Sequence, residues 1–125
     1  MKATDTGIKR ILKAFTYSYD GFKAAFKSEA AFRQDIVFVI VMTIIALCFN
    51  MPAWQQARLI ASLLVVLLAE LVNTAIETII DRISEDYHEL SKKAKDIGSL
   101  LVLISFIYVA LIWSTTLYGW MIYTG

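Results

Sequence analysis

Three apolar stretches, each the centre of a candidate membrane span, set the fold class of this chain before any motif is read. Ile36 to Phe49 carries no charge, Leu59 to Ala69 is apolar apart from Ser62, and Ile97 to Leu117 carries no charge. A hydrocarbon core of about 30 Å takes roughly 20 helical residues. Backbone in lipid must satisfy its own hydrogen bonds, so these runs are expected to be helices. With 58% hydrophobic residues the chain exceeds the roughly 45–50% usual for soluble domains. The expected fold is an all-α membrane protein forming one domain over residues 1–125. It has an N-terminal helix at 8–27 and transmembrane helices at about 30–49, 54–82 and 95–120.

The composition also excludes several functions. A net charge of +1 gives no global support for nucleic-acid binding. One cysteine and one histidine leave no intrachain disulfide and no Cys/His metal cluster. Five lysines and arginines between Lys9 and Lys27 interrupt any apolar core a signal peptide would need, so the first hydrophobic run is expected to act as the insertion signal.

Residues 8–27 read as an amphipathic helix. Ile8, Ile11, Leu12, Phe15, Phe22 and Phe26 follow one side, and Lys9, Lys13, Thr16, Asp20, Lys23 and Lys27 the other. Basic opposite aromatic is the pattern of a helix lying in the membrane interface. The uncharged part of the first span is short, so its helix must begin near Ala30. That places Glu29, Arg33, Gln34 and Asp35 at its mouth. Asn50-Met51-Pro52 reads as a turn, and Pro52 suits a helix start.

Seven of the twelve lysines and arginines precede residue 34, four lie in 82–95, and only Arg58 lies in the first loop. Cationic loops stay in the cytoplasm, so the N-terminus is expected inside and the C-terminus in the periplasm.

Within the second span, Glu70, Asn73 and Glu77 share one helix face. An ionisable group in a span is costly and is a functional-site hypothesis by default. Glu29 and Glu77 suit Mg²⁺, a hard cation that keeps waters and bridges to phosphate oxygens. Glu70, deeper, can take a proton from an alcohol at headgroup depth. Lys92, Lys95, Arg10 and Lys13 can neutralise phosphate charge. These are the parts of phosphoryl transfer, in which positioning and charge stabilisation do most of the catalysis. Plainer readings stand beside this one: Glu77 and Asp81 solvated at a helix end, Asn73 as interhelical glue, His88 as an ordinary loop residue. No G-x-x-x-x-G-K-[ST] is present, and the glycines at 7, 21, 98, 119 and 125 are too dispersed for a phosphate-cradling loop.

The motifs together resemble a known family. They are Arg10-Ile11-Leu12-Lys13-Ala14 with Tyr17-Ser18, Glu29-Ala30-Ala31-Phe32-Arg33-Gln34, Glu70-Leu71-Val72-Asn73-Thr74-Ala75-Ile76-Glu77, Asp81-Arg82-Ile83, Tyr87-His88-Glu89-Leu90-Ser91, and Ala94-Lys95-Asp96 with Gly98-Ser99. From about Gly7 through the third span the chain resembles the small bacterial integral-membrane diacylglycerol kinases, a family with an undecaprenol kinase branch. The wording at 29–34 and 87–91 is closer to the diacylglycerol branch.

The resemblance implies transfer of the γ-phosphate of Mg·ATP to 1,2-diacyl-sn-glycerol, giving phosphatidic acid at the bacterial inner membrane. It implies Glu70 as general base, Asn73 supporting the catalytic centre, and Glu29 and Glu77 holding the ion. Arg10, Tyr17, Glu29, Glu77, Asp86, Tyr87, His88, Lys95 and Asp96 would contact ATP. Arg10, Ala14, Ser18, Ala31, Arg33, Asp35, Glu70, Ser99 and Trp113 would lie near the lipid. It further implies a homotrimer whose active sites are built between subunits. Asp35 stands where the family usually has glutamate, and Tyr19 and Phe26 stand where tryptophan is usual. The rival from another class is a small proton-coupled exporter, against which the odd span count and the basic helix argue.

Overall fold

The computed structural model describes residues 6–124, and all regular structure there is α-helical. Four helices follow one another: α1 (Gly7–Ser28), α2 (Ala30–Cys48), α3 (Ala53–Ile83) and α4 (Glu89–Thr124). Three of them, α2, α3 and α4, are long and apolar enough to cross a membrane. At 1.5 Å per residue α3 is about 46 Å long and α4 about 54 Å, against a hydrocarbon core of about 30 Å. Both therefore project well beyond the hydrocarbon. The 84–88 turn joins them, so the last turns of α3 and the first turns of α4 form one polar end.

The sequence places the third span at about 95, whereas α4 begins at Glu89. Hydropathy marks where a helix enters lipid, not where it begins. Glu89-Leu90-Ser91-Lys92-Lys93-Ala94 contains mostly good helix formers. The His88 ring closes the turn: the Leu90 backbone N–H donates to His88 Nδ1 at 3.0 Å.

α1 stops at Ser28 because Glu29 turns extended, its N–H still donating to Ala25 O at 2.9 Å. Arg33, on the first turn of α2, then covers the open end of α1. Its Nη1 donates to Phe26 O at 2.6 Å and Lys27 O at 3.1 Å. A cation on the last carbonyls of a helix satisfies orphan acceptors and complements the dipole. Phe22 of α1 meets Phe32 of α2 edge-on at 5.8 Å, and these contacts fix the corner. Elsewhere the apolar residues of α1 face outward, Phe15 being 71% exposed.

At the opposite end Pro52 caps α3. Gln56 Nε2 donates to Phe49 O at 3.1 Å, and Trp120 Nε1 to Asn50 O at 3.1 Å, tying α4 to the α2–α3 turn. The core between these ends is α3 packed on α4 and α2. Val39, Ala46, Leu59, Leu63, Val66, Val109 and Trp113 fill it. Val37, Ile40, Val41 and Ile44 of α2 point away from it and are exposed.

Candidate active site

The polar end is where the acids of the sequence meet. α2 and α3 run antiparallel, so the start of α2 lies level with the last third of α3. Glu70 is buried at 6% exposure and Asn73 at 9%. The carboxyl of Asp35 on α2 lies beside that of Glu70, and Glu29 and Glu77 are the other carboxylates whose charges bear on it. One turn on from Asn73, its Nδ2 donates to Glu77 Oε1 at 3.3 Å. The helical spacing that puts 70, 73 and 77 on one stripe is thus used: the amide holds the outer acid and sits over the inner one. Three oxygens in this region are buried without a hydrogen-bond partner, Asp35 Oδ2, Asn73 Oδ1 and Thr74 Oγ1.

The charges of Asp35, Glu77 and Glu29 all bear on Glu70, which favours a cation nearby. Among the described residues, however, no three His, Cys, Asp or Glu side chains could hold a metal ion together. That donor set fits an ion that arrives already ligated by phosphates, since Mg²⁺ needs only one or two protein carboxylates. It does not fit a structural metal.

Beyond Glu77 a cleft of about 440 Å³ opens under the α3–α4 turn. Asp86, Tyr87, His88, Lys95 and Asp96, five of the residues assigned to nucleotide, all line it. The Asp86 N–H donates to Ser84 Oγ at 3.0 Å, shaping the turn. Lys95 Nζ pairs with Asp81 at 3.1 Å and Lys92 Nζ with Asp96 at 2.6 Å, both pairs well exposed. Exposed pairs of this kind contribute at most about 1 kcal/mol, so both lysines can be redirected to a ligand at small cost.

A wider groove of about 1020 Å³, mostly apolar, runs between α1 and α3. Ser18, Gly21 and Phe22 line one wall and Leu71, Thr74 and Thr78 the other. It passes along the flank of the Glu70–Glu77 tract.

Other assigned residues are not brought to either place within one chain. Arg10, Tyr17, Ala31 and Ser99 are exposed, and Ala14 is half-buried on α1. The guanidinium of Arg33 is committed to α1. Trp113 lies in the core, 8% exposed, its Nε1 donating to Leu59 O at 3.3 Å and Ser62 Oγ at 3.1 Å. Leu59 is eleven residues before Glu70, about 16 Å along α3. Trp113 is therefore a helix-to-helix anchor in this chain. Sequence reasoning missed Thr74 as a buried hydroxyl beside the site. The helical wheel carried that signal, because Thr74 lies four residues after Glu70 and three before Glu77.

The sequence profile of the prokaryotic diacylglycerol kinases matches residues 16–117. The chain belongs to that family. A diacylglycerol kinase of Escherichia coli strain K12 is 43% identical over 119 residues, covering 95% of this chain and 98% of the relative. One from Pseudomonas aeruginosa strain PAO1 is 43% identical over 114 residues, covering 91% and 93%. One from Haemophilus influenzae strain Rd is 35% identical over 113 residues, covering 90% and 96%. Membership of the prokaryotic diacylglycerol kinase family thus agrees with the resemblance carried by the motifs. With bacterial relatives over nearly its whole length and three apolar helices, the chain is a multi-pass bacterial membrane protein.

Proposed function

We propose that this member of the family phosphorylates 1,2-diacyl-sn-glycerol from Mg·ATP at the cytoplasmic face of the inner membrane, releasing phosphatidic acid and ADP. The observation that carries the proposal is the position of Glu70: a buried acid in a helix long and apolar enough to cross a membrane, beside Asp35 and one turn from the Asn73–Glu77 pair. In this reading diacylglycerol enters sideways along the α1–α3 groove, its chains staying in lipid and its hydroxyl reaching Glu70. ATP lies in the cleft under the α3–α4 turn, with Lys95 turned from Asp81 to phosphate. Glu29 and Glu77 would hold the Mg²⁺ carried by the nucleotide, whose charge would offset that of the phosphates. As the hydroxyl oxygen bonds to the γ-phosphorus, Glu70 takes its proton and the bond to the β–γ bridging oxygen breaks. ADP leaves with that oxygen.

Helix α1 would lie in the interface with its outward aromatics in lipid. Positive loops put this end in the cytoplasm and the α2–α3 turn in the periplasm. Arg10 and Tyr17 are exposed and do not line the cleft of their own chain, which supports sites shared between copies, in the homotrimer that the family resemblance implies.

Glu77→Gln tests the ion's place. It should raise the Mg²⁺ concentration needed for half-maximal rate by about tenfold, because a charged ligand becomes a neutral one. The check is a Mg²⁺ titration at saturating ATP and lipid. An unchanged midpoint would remove Glu77 from the ion's shell.

A further inference from the structure

Gly98 lies between Asp96 and Ser99, in a motif whose Lys95, Asp96 and Ser99 carry nucleotide and lipid assignments while Gly98 carries none. It lies buried on α4, against Asn73 of α3. A Cβ built on Gly98 has only Asn73 atoms as its three nearest neighbours. It would collide with Oδ1 and stand 3.2 Å from Cγ, yet 3.7 Å from the Asn73 Cα. The last distance is ordinary packing. The conflict is therefore with the far end of one side chain, and the α3 and α4 backbones need not separate to relieve it.

That amide is otherwise weakly specified. Its Nδ2 donates to Glu77, while its Oδ1 is buried and accepts nothing. No partner fixes the oxygen's position, so shape must. We propose that Gly98 is a positioning residue of the phosphoryl-transfer site: the side chain it lacks leaves the gap in which the Asn73 carboxamide lies, with Nδ2 aimed at Glu77. A methyl there turns the amide out of the gap and releases Glu77. The inference rests on the kinase reading above.

The experiment compares G98A, N73A and the G98A/N73A double variant with the parent protein in mixed micelles, following kcat, KM for diacylglycerol and thermal unfolding. G119A serves as a control, because a Cβ there meets nothing within 4 Å. G98A should lower kcat by about tenfold to a hundredfold, as small misplacements of reacting groups do. KM for diacylglycerol should hold. The unfolding temperature should not fall, since alanine is the better helix former. The double variant should be no slower than N73A, because Gly98 acts only through that amide.

A parental kcat in G98A overturns the proposal. So do losses that multiply in the double variant, or a G98A that fails to fold, which would place the conflict in the backbones. A parent protein with no kinase activity instead overturns the function on which the proposal rests.

Discussion

Glu70→Gln should yield a folded protein that transfers phosphate about a thousandfold more slowly than the parent, the scale of a lost general base. The substitution keeps size and hydrogen-bonding capacity, so the contact with Asp35 and the packing of α3 on α4 survive. It removes the one property the reaction needs, since a carboxamide does not take up the hydroxyl proton. Unfolding midpoint and oligomer size should match the parent, and KM for Mg·ATP should change little, because Glu29, Glu77 and the turn cleft are untouched. A rate within tenfold of the parent, in well-folded protein, would move the base elsewhere, with Asp35 the next carboxyl in reach.

The second large effect concerns stability. Trp113→Ala removes a buried indole from the core between α3 and α4 and should cost about 3–5 kcal/mol. Trp113→Phe keeps most of the packing and loses only the donor to Leu59 O and Ser62 Oγ. Hydrogen bonds between membrane helices average about 0.6 kcal/mol, so this variant should lose about that much. Reversible denaturation in mixed micelles measures both. The pair separates the two roles open to Trp113. An anchor predicts a large stability loss in the alanine variant, with normal KM for diacylglycerol in whatever remains folded. A lipid contact predicts a parental unfolding midpoint and a raised KM.

The contrast between Glu70 and Trp113 marks what sequence can convey here. A charge in a long apolar run stands out because its burial cost is local to that run, and helical periodicity alone puts Asn73 and Glu77 on its face. The four helices follow from the same short-range patterns, with Pro52 and the 84–88 turn breaking them. Contacts between helices are written nowhere in the pattern. Arg33 reads as a cation at a membrane mouth, and only the bend between α1 and α2 brings Phe26 O and Lys27 O within its reach. Trp113 reads, by the family resemblance, as a residue near the lipid, until its partner is found more than fifty residues away on α3. Gly98 stands in a motif, but its role is not legible there, since the absence of a side chain matters only once Asn73 is seen lying against it. The start of α4 at Glu89 is a milder case, in which apolarity located the lipid boundary and local propensity extended the helix past it.

The central claim is that this polar end moves phosphate onto a membrane alcohol. The direct measurement supplies γ-labelled Mg·ATP to the purified protein in mixed micelles containing diacylglycerol or, separately, undecaprenol. The account predicts label in phosphatidic acid, with transfer to undecaprenol far slower. Label chiefly on undecaprenol would contradict the substrate while leaving the chemistry of Glu70 in place. Label on neither lipid, with protein shown to be folded, would contradict the account as a whole and leave the buried acids to proton-coupled transport.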